Sequence, residues 1–222
     1  MVRWIPLFLA AIPIRSGAVD LATILSSLKG SSIPDTSEYR VTTTLHVSGQ
    51  PLSTVMKVVQ SGKDLSWSEA TVGGRTMRIV RNGNRQRIFD VGSRESQTMT
   101  AAADGVASAV DWTRLADVSW TSPIESTPGL WLLRQSSGLD SALAGRILEW
   151  SSTDGRPRRM LQWNASGDTT RANIQWTYEQ GRRVPKEIRI ETGPASQTRL
   201  VTLRFDDWRF PRSIPSAFFA IP

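Results

Sequence analysis

Residues 39–48 read YRVTTTLHVS, and this stretch decides the fold class. Every second residue shares one side: Tyr39, Val41, Thr43, Leu45 and Val47. The residues between them are Arg, Thr, Thr, His and Ser, which suit a solvent-facing side. Successive side chains of a strand point to opposite faces, so this alternation predicts a half-buried strand of an antiparallel sheet.

Further strands are separated by turn sequences such as Asn82-Gly83 and Gln180-Gly181. They are predicted at residues 53–60, 65–70, 76–81, 86–91, 146–151, 159–164, 170–178, 186–192 and 199–205. The pattern of residues 53–60 is mixed, which suggests a bulge. Before the first strand, Asp20 and Gly30 bracket a predicted short helix. Its apolar residues have helical spacing: Leu21, Ile24, Leu25 and Leu28.

Residues 92–144 interrupt this alternation and predict an irregular, partly helical insertion, with short helical pieces at residues 111–115 and 128–134. Trp131, Leu132 and Leu133 are unusually apolar for a connection. A long insertion of this kind is more often functional than idle, so these three residues are candidates for a lid over an apolar surface. The alternative is that they plug the sheet permanently.

Taken together, about ten short strands and two or three short helices predict a mainly β fold of the α+β class. Such a sheet must pack on a second sheet or curl around helices. Meander-like hairpins favour the second solution. We therefore expect one domain, residues 19–222, whose strongly curved antiparallel sheet forms an incomplete barrel with a few short helices inside it or over its mouth.

The first 18 residues predict an export signal. Arg3 precedes an apolar run at residues 4–14, and small residues at 16–18 lead us to expect cleavage after Ala18. The run is shorter than the roughly 20 residues that span a bilayer. The alternative is an N-terminal membrane anchor that stays in place.

The composition of the chain excludes several classes of enzyme. The chain has 222 residues, no Cys and one His, which excludes thiol catalysis, disulfides and thiolate zinc sites. His46 lies on the polar side of its strand, and no nucleotide-binding or hydrolase motif occurs. We predict no catalytic residue, no metal and no cofactor. A lipid hydrolase that uses His46 or the Asp206–Asp207 pair is the enzymatic alternative.

The chain is basic, with a formal net charge of +7 and a sequence pI of about 10.7. Outside the cytoplasm an anionic membrane surface or lipid headgroup is a more suitable partner than nucleic acid, and we expect no nucleic acid. The arginines also alternate along strands, as on an ordinary solvated face. The tryptophans at apolar strand positions have two interpretations. They form an ordinary hydrophobic core, or they line a concave apolar surface that packs the hydrocarbon of a ligand.

Three stretches resemble the LolA-type lipoprotein carriers, in the order in which that family has them. Residues 79–90, IVRNGNRQRIFD, resemble its hairpin with an Asn-Gly turn, and residues 63–67, KDLSW, resemble the strand before it. Residues 205–222, FDDWRFPRSIPSAFFAIP, are similar to the end of the family, where a proline-containing segment leads to a Phe and a final Pro. The family has an Arg-Pro pair that latches its lid. Here the matching stretch is Ser61-Gly62-Lys63, so Lys63 would donate only as a point charge.

The resemblance implies a periplasmic, monomeric carrier that holds acyl chains of a lipid or lipoprotein in a hydrophobic cavity under a helical lid. It also implies an inner-membrane donor, an outer-membrane acceptor and peripheral contact with the membrane. The alternative is a lipid-binding sensor or interaction protein of the same fold. The candidate lining residues are Val41, Leu45, Val47, Leu65, Trp67, Met77, Ile79, Trp150, Trp163, Ile174, Trp176, Ile188 and Leu203.

Overall fold

A computed structural model of the chain describes residues 19–30, 33–47, 50–62, 64–100, 112–135, 143–194 and 198–220. These residues form helix α1 (Leu21–Lys29), the 3-10 helices η1 (Trp112–Asp117) and η2 (Ser216–Phe219), and thirteen strands. The strands are β1 (Thr36–Val47), β2 (Gln50–Ser61), β3 (Leu65–Val72), β4 (Arg75–Asn82), β5 (Arg85–Asp90), β6 (Ser96–Thr100), β7 (Ile124–Thr127), β8 (Leu130–Arg134), β9 (Gly145–Ser151), β10 (Arg156–Trp163), β11 (Thr169–Glu179), β12 (Arg182–Gly193) and β13 (Arg199–Arg209).

Helix α1 begins and ends where the sequence predicts. The carboxylate of Asp20 accepts a 2.7 Å hydrogen bond from the backbone N–H of Thr23, which satisfies one of the free donors at the helix start. Gly30 caps the other end. Ile24 and Leu28 lie one turn apart on the buried side of the helix.

All strands of the described residues belong to one antiparallel sheet, in the order β6-β5-β4-β3-β2-β1-β13-β12-β11-β10-β9-β8-β7. Two meanders therefore meet where β1 pairs with β13. The edge strands β6 and β7 do not pair with each other, so the sheet is not closed into a barrel. The predicted mainly β fold with an incomplete barrel is confirmed.

The larger core covers one face of this sheet, which we call the inner face. Helix α1, η1 and Trp120 pack there with buried residues of β1 and of strands β8 to β13. Its aromatic end is a stack in which the rings of Tyr39 and Trp208 lie 4.5 Å apart. The guanidinium of Arg156 donates to the backbone oxygen of Ser27 at 3.3 Å, near the C-terminal end of α1. Burial and the neighbouring Arg183 lower the pKa of Arg156.

A smaller core covers the opposite, outer face of β2 to β5. Phe219 of η2 is fully buried there against Val59 and Val80, and Leu65, Trp67, Phe89 and Ile214 pack around them. Both Val58 and Val59 are therefore buried, one on each face. This explains the mixed pattern of residues 53–60. The predicted bulge is wrong, because β1 and β2 pair without a register shift.

The described part of the insertion is more regular than expected. Residues 128–134 were expected to be helical, but Leu130–Arg134 is strand β8, paired with β7 and β9. The cause is burial of alternate side chains, since Trp131 and Leu133 point inward opposite Trp150 and Leu148. Tertiary packing overrides the helical preference of the leucines. The other expected helical piece corresponds to η1, although residue 111 lies outside the described residues.

Candidate functional site

A row of apolar side chains crosses the inner face of six neighbouring strands. Cross-strand partners have side chains on the same face, so the pairing identifies the row without ambiguity. Its members are Met160, Ala172, Ile190, Val201, Leu45 and Leu52. We call it the apolar row. Ala172 is buried, Leu52 is 64% exposed, and the other four are half-buried. The row is thus apolar surface that α1 and η1 leave only partly covered.

The apolar inner surface extends onto the N-terminal strands. Met56, Ala70 and Met77 are successive partners across β2, β3 and β4, and all three are half-buried. Ile79 and Ile88 are partners on β4 and β5 and are also half-buried. Both faces of β2 to β5 therefore carry apolar residues, the outer one covered by η2 and the inner one partly open.

Nine of the predicted lining residues lie on the inner face. Val41, Trp150, Ile174, Ile188 and Leu203 are buried members of the larger core, and Trp176 packs against it. Leu45, Met77 and Ile79 are half-buried. The indole N–H of Trp176 donates a 2.7 Å hydrogen bond to the backbone oxygen of Pro157, which fixes the ring. The buried members serve the core, and the half-buried members are the ones a ligand could contact.

Three predicted lining residues lie on the other face, which corrects the prediction of one common surface. Leu65 and Trp67 belong to the smaller core, where the Trp67 and Phe218 rings are 5.4 Å apart. Trp163 lies four residues after Arg159 on β10, so both side chains point to the outer face, and the Trp163 ring packs across Gly145. Leu65 and Trp67 fit either face of a strand equally well, and no local pattern shows that the chain end covers the outer one. Trp163 also borders a cavity next to the end of β10.

The predicted lid residues lie within the sheet. Trp131 and Leu133 are buried in the larger core, and Leu132 is a half-buried neighbour between them on β8. Their role as a lid stays a prediction. Three of the predictions lie outside the described part of the chain. They concern the side chain of Val47, Lys63 and the predicted export signal at residues 1–18.

A cavity of about 620 Å³ lies beside the half of the apolar row that β10 to β13 contribute. Arg146, Gln162, Thr170, Thr192 and Arg199 contribute to its wall. The guanidinium of Arg146 donates from one nitrogen to the Gln135 side chain at 3.1 Å and from another to Gln162 at 3.4 Å. The cavity is therefore polar, with two cationic side chains beside an apolar surface.

The described residues contain no group of three or more His, Cys, Asp or Glu side chains placed to hold a metal ion. His46 is exposed at the end of β1. Asp207 pairs with Arg40 at 2.8 Å on the surface. Within the same residues, no helix has both the length and the apolar character required to cross a membrane.

Several solved structures share this architecture over nearly the whole chain. A LolA superfamily protein from Nitrosomonas europaea superposes with a TM-score of 0.65 at 15% identity, covering 92% of this chain and 99% of that one. The chain has a LolA-like fold. This confirms the resemblance at the level of the fold.

Two further structures agree with this fold. A DUF1329 family protein from Desulfovibrio piger has a TM-score of 0.61 at 10% identity, covering 89% of this chain and 94% of that one. A domain named for outer membrane lipoprotein sorting, from Vibrio parahaemolyticus, has a TM-score of 0.59 at 8% identity, covering 88% and 94%. No protein-family model and no curated protein matches the sequence, so the LolA-like likeness lies in the fold alone.

Proposed function

We propose that this protein is a periplasmic carrier that holds acyl chains of a lipid or lipoprotein and takes them toward the outer membrane. The observation that carries the proposal is the apolar row, a continuous and only half-covered apolar surface on the inner face of a LolA-like sheet. One of the structures with this fold is named for lipoprotein sorting. The export signal predicted in the first 18 residues supports the periplasmic location.

The dimensions of the apolar row suit an extended hydrocarbon chain. Six strands at a spacing of about 4.8 Å give a row roughly 24 Å long. Each methylene removed from water contributes about 0.8 kcal/mol, so full enclosure of a long chain would make release very slow. A half-open row buries each methylene only in part. Binding then remains reversible, as a carrier that hands its cargo from a donor to an acceptor requires.

The open end of the row indicates where cargo would enter. Leu52 is exposed near the start of β2, whereas the cavity lies beside the half of the row that β10 to β13 contribute. We expect peripheral contact with a membrane or a partner protein at the Leu52 end, and a monomeric carrier in solution.

Leu52 and Val55 provide a matched pair of variants for the test. Both are exposed apolar residues of β2, at 64% and 49%, but Leu52 lies on the inner face and Val55 opposite Thr42 on the outer face. The mature chain is exported, purified without detergent and examined by native mass spectrometry for co-purified lipid. A fluorescent fatty acid is then titrated into the wild type, Leu52→Asp and Val55→Asp.

We expect saturable binding to the wild type and to Val55→Asp. We expect Leu52→Asp to bind about tenfold more weakly, because a charge replaces apolar contact area. Circular dichroism checks that both variants are folded. Absence of co-purified lipid together with absence of saturable binding in the wild type would exclude the carrier.

A further inference from the structure

The cavity beside the apolar row has the composition of a binding site for an anionic headgroup. Its wall contains a second, polar row formed by cross-strand partners on five strands: Arg146, Gln162, Thr170, Thr192 and Arg199. Each of these residues lies two positions along its strand from an apolar inner-face residue, so the two rows share the inner face. Polar and apolar surfaces therefore meet along one straight border.

We propose that this cavity binds the phosphate of a lipid whose acyl chains lie on the apolar row. The inference rests on the proposed function and names its cargo as a phospholipid. An amphiphile is the ligand class whose own border between charge and hydrocarbon matches the border on the protein. A cavity of about 620 Å³ lies in the range of small-molecule sites and is large enough for a headgroup.

The charges of the cavity favour an anion. Arg146 and Arg199 face one carboxylate, that of Asp168, among the residues that form its wall. Asp168 is engaged by its own loop, since its Oδ2 accepts a 3.0 Å hydrogen bond from the hydroxyl of Ser166. Among the described residues of the wall, two cations therefore face one carboxylate. Guanidinium groups bind phosphate oxygens with paired, charge-assisted hydrogen bonds, which a neutral headgroup cannot match.

Arg146 is oriented before any ligand arrives. The side chains of Gln135 and Gln162 accept from its guanidinium at 3.1 and 3.4 Å, which restricts its rotamers. Arg199 is exposed at the start of β13, on the opposite side of the polar row. A rigid cation on one side and an adaptable one on the other suit a group that must be both held and released.

The experiment compares a lipid that has an anionic phosphate headgroup, a lipid that lacks it, and phosphate alone. Binding of dioctanoyl phosphatidylglycerol, dioctanoylglycerol and inorganic phosphate to the mature chain is measured by calorimetry. The variants are Arg199→Gln, Arg146→Gln and the control Arg189→Gln. Arg189 is an exposed arginine on the outer face of β12, so its replacement removes the same charge from the same sheet. Circular dichroism verifies folding, and Arg199→Gln carries the test if Arg146→Gln is unfolded.

We expect phosphatidylglycerol to bind about tenfold more tightly than the diacylglycerol, and Arg199→Gln to remove most of this difference while Arg189→Gln keeps it. Higher salt should narrow the difference as well. Equal affinity for the two lipids overturns the phosphate site but remains compatible with a carrier of acyl chains. The same conclusion follows if folded Arg199→Gln keeps the affinity difference between the two lipids. Inorganic phosphate that binds as tightly as the phospholipid shows a site for free phosphate instead. Failure of both lipids to bind overturns the proposed function together with this inference.

Discussion

The indole N–H of Trp150 donates a 2.6 Å hydrogen bond to the hydroxyl oxygen of Ser27 and so joins strand β9 to helix α1. The same hydroxyl donates to the backbone oxygen of Ile24 at 2.7 Å. Trp150 is 4% exposed, so its N–H has been removed from water. The Ser27 hydroxyl therefore links helix α1 to β9 at a buried position.

Replacing Ser27 by Ala should destabilise the fold by about 1–3 kcal/mol, because a buried indole N–H loses its acceptor. Ser26→Ala is the control, since it makes the same change in helix propensity at an exposed position of the same helix. Urea unfolding followed by circular dichroism measures both variants. Equal free energies of unfolding for the two variants would show that the hydrogen bond contributes nothing.

Phe218 and Phe219 test the attachment of the chain end to the outer face. Phe219 is fully buried between Val59 and Val80, whereas Phe218 is 45% exposed and touches Trp67 at the rim. Phe219→Ala should lower the free energy of unfolding by about 3–5 kcal/mol, the usual effect of removing a buried phenylalanine. Phe218→Ala should have less than half that effect. If the two variants unfold at the same urea concentration, the chain end does not cover the outer face in solution.

The sequence predicted the strands well wherever one face is buried. In β1 the alternation around Val41 and Leu45 survives in the structure, because the outer face of that strand carries only polar side chains. Prediction failed where both faces are covered. In β2 the neighbouring Val58 and Val59 are buried on opposite faces, and the alternation is lost. The covering element, η2, lies far away along the chain, so no local pattern could reveal it.

The candidate site was predicted only in part, for a related reason. Ile190 and Val201 lie two residues from the predicted lining residues Ile188 and Leu203, so alternation puts each pair on one side of its strand. Alternation does not show that Ile190 and Val201 remain half-buried while Ile188 and Leu203 are buried. That difference depends on where α1 lies. In β10 the pairing register shifts between Pro157 and Arg159. Strict alternation counted from Pro157 therefore assigns Met160 to the wrong face of the strand.

Gly145 and Trp163 should show strong energetic coupling. The Trp163 ring lies across Gly145 so closely that a Cβ at this position would overlap it. Gly145→Ala should therefore destabilise the protein by about 1–3 kcal/mol. In the background of Trp163→Leu, the same substitution should have little effect, because the smaller side chain leaves room for a methyl group. A double-mutant cycle on unfolding free energies measures the coupling, and additive effects would contradict the contact.

Asp90 should make the stability of the protein sensitive to acid. Its buried carboxylate accepts a 2.7 Å hydrogen bond from the Nε of Arg75 and further ones from the backbone N–H groups of Ser93 and Gly92. The Arg75 hydrogen bond, followed by that from Ser93, holds the pKa of Asp90 below its ordinary value. A carboxyl group with a lowered pKa in the folded state stabilises that state above the unfolded pKa of about 4 and loses this contribution as the pH falls through the lowered value.

Asp90→Asn removes this pH-dependent contribution. The wild type should be more stable than the variant near neutral pH, and the difference should shrink steadily as the pH falls below about 4. Urea unfolding at a series of pH values measures it. Asp117→Asn, at an exposed position of η1, controls for the loss of one negative charge and should follow the wild-type profile. The contrary outcome is a difference in unfolding free energy between wild type and Asp90→Asn that stays constant down to the lowest pH. It would mean that the negative charge of Asp90 does not stabilise the fold and that Arg75 contributes to the β4–β5 hairpin by packing alone.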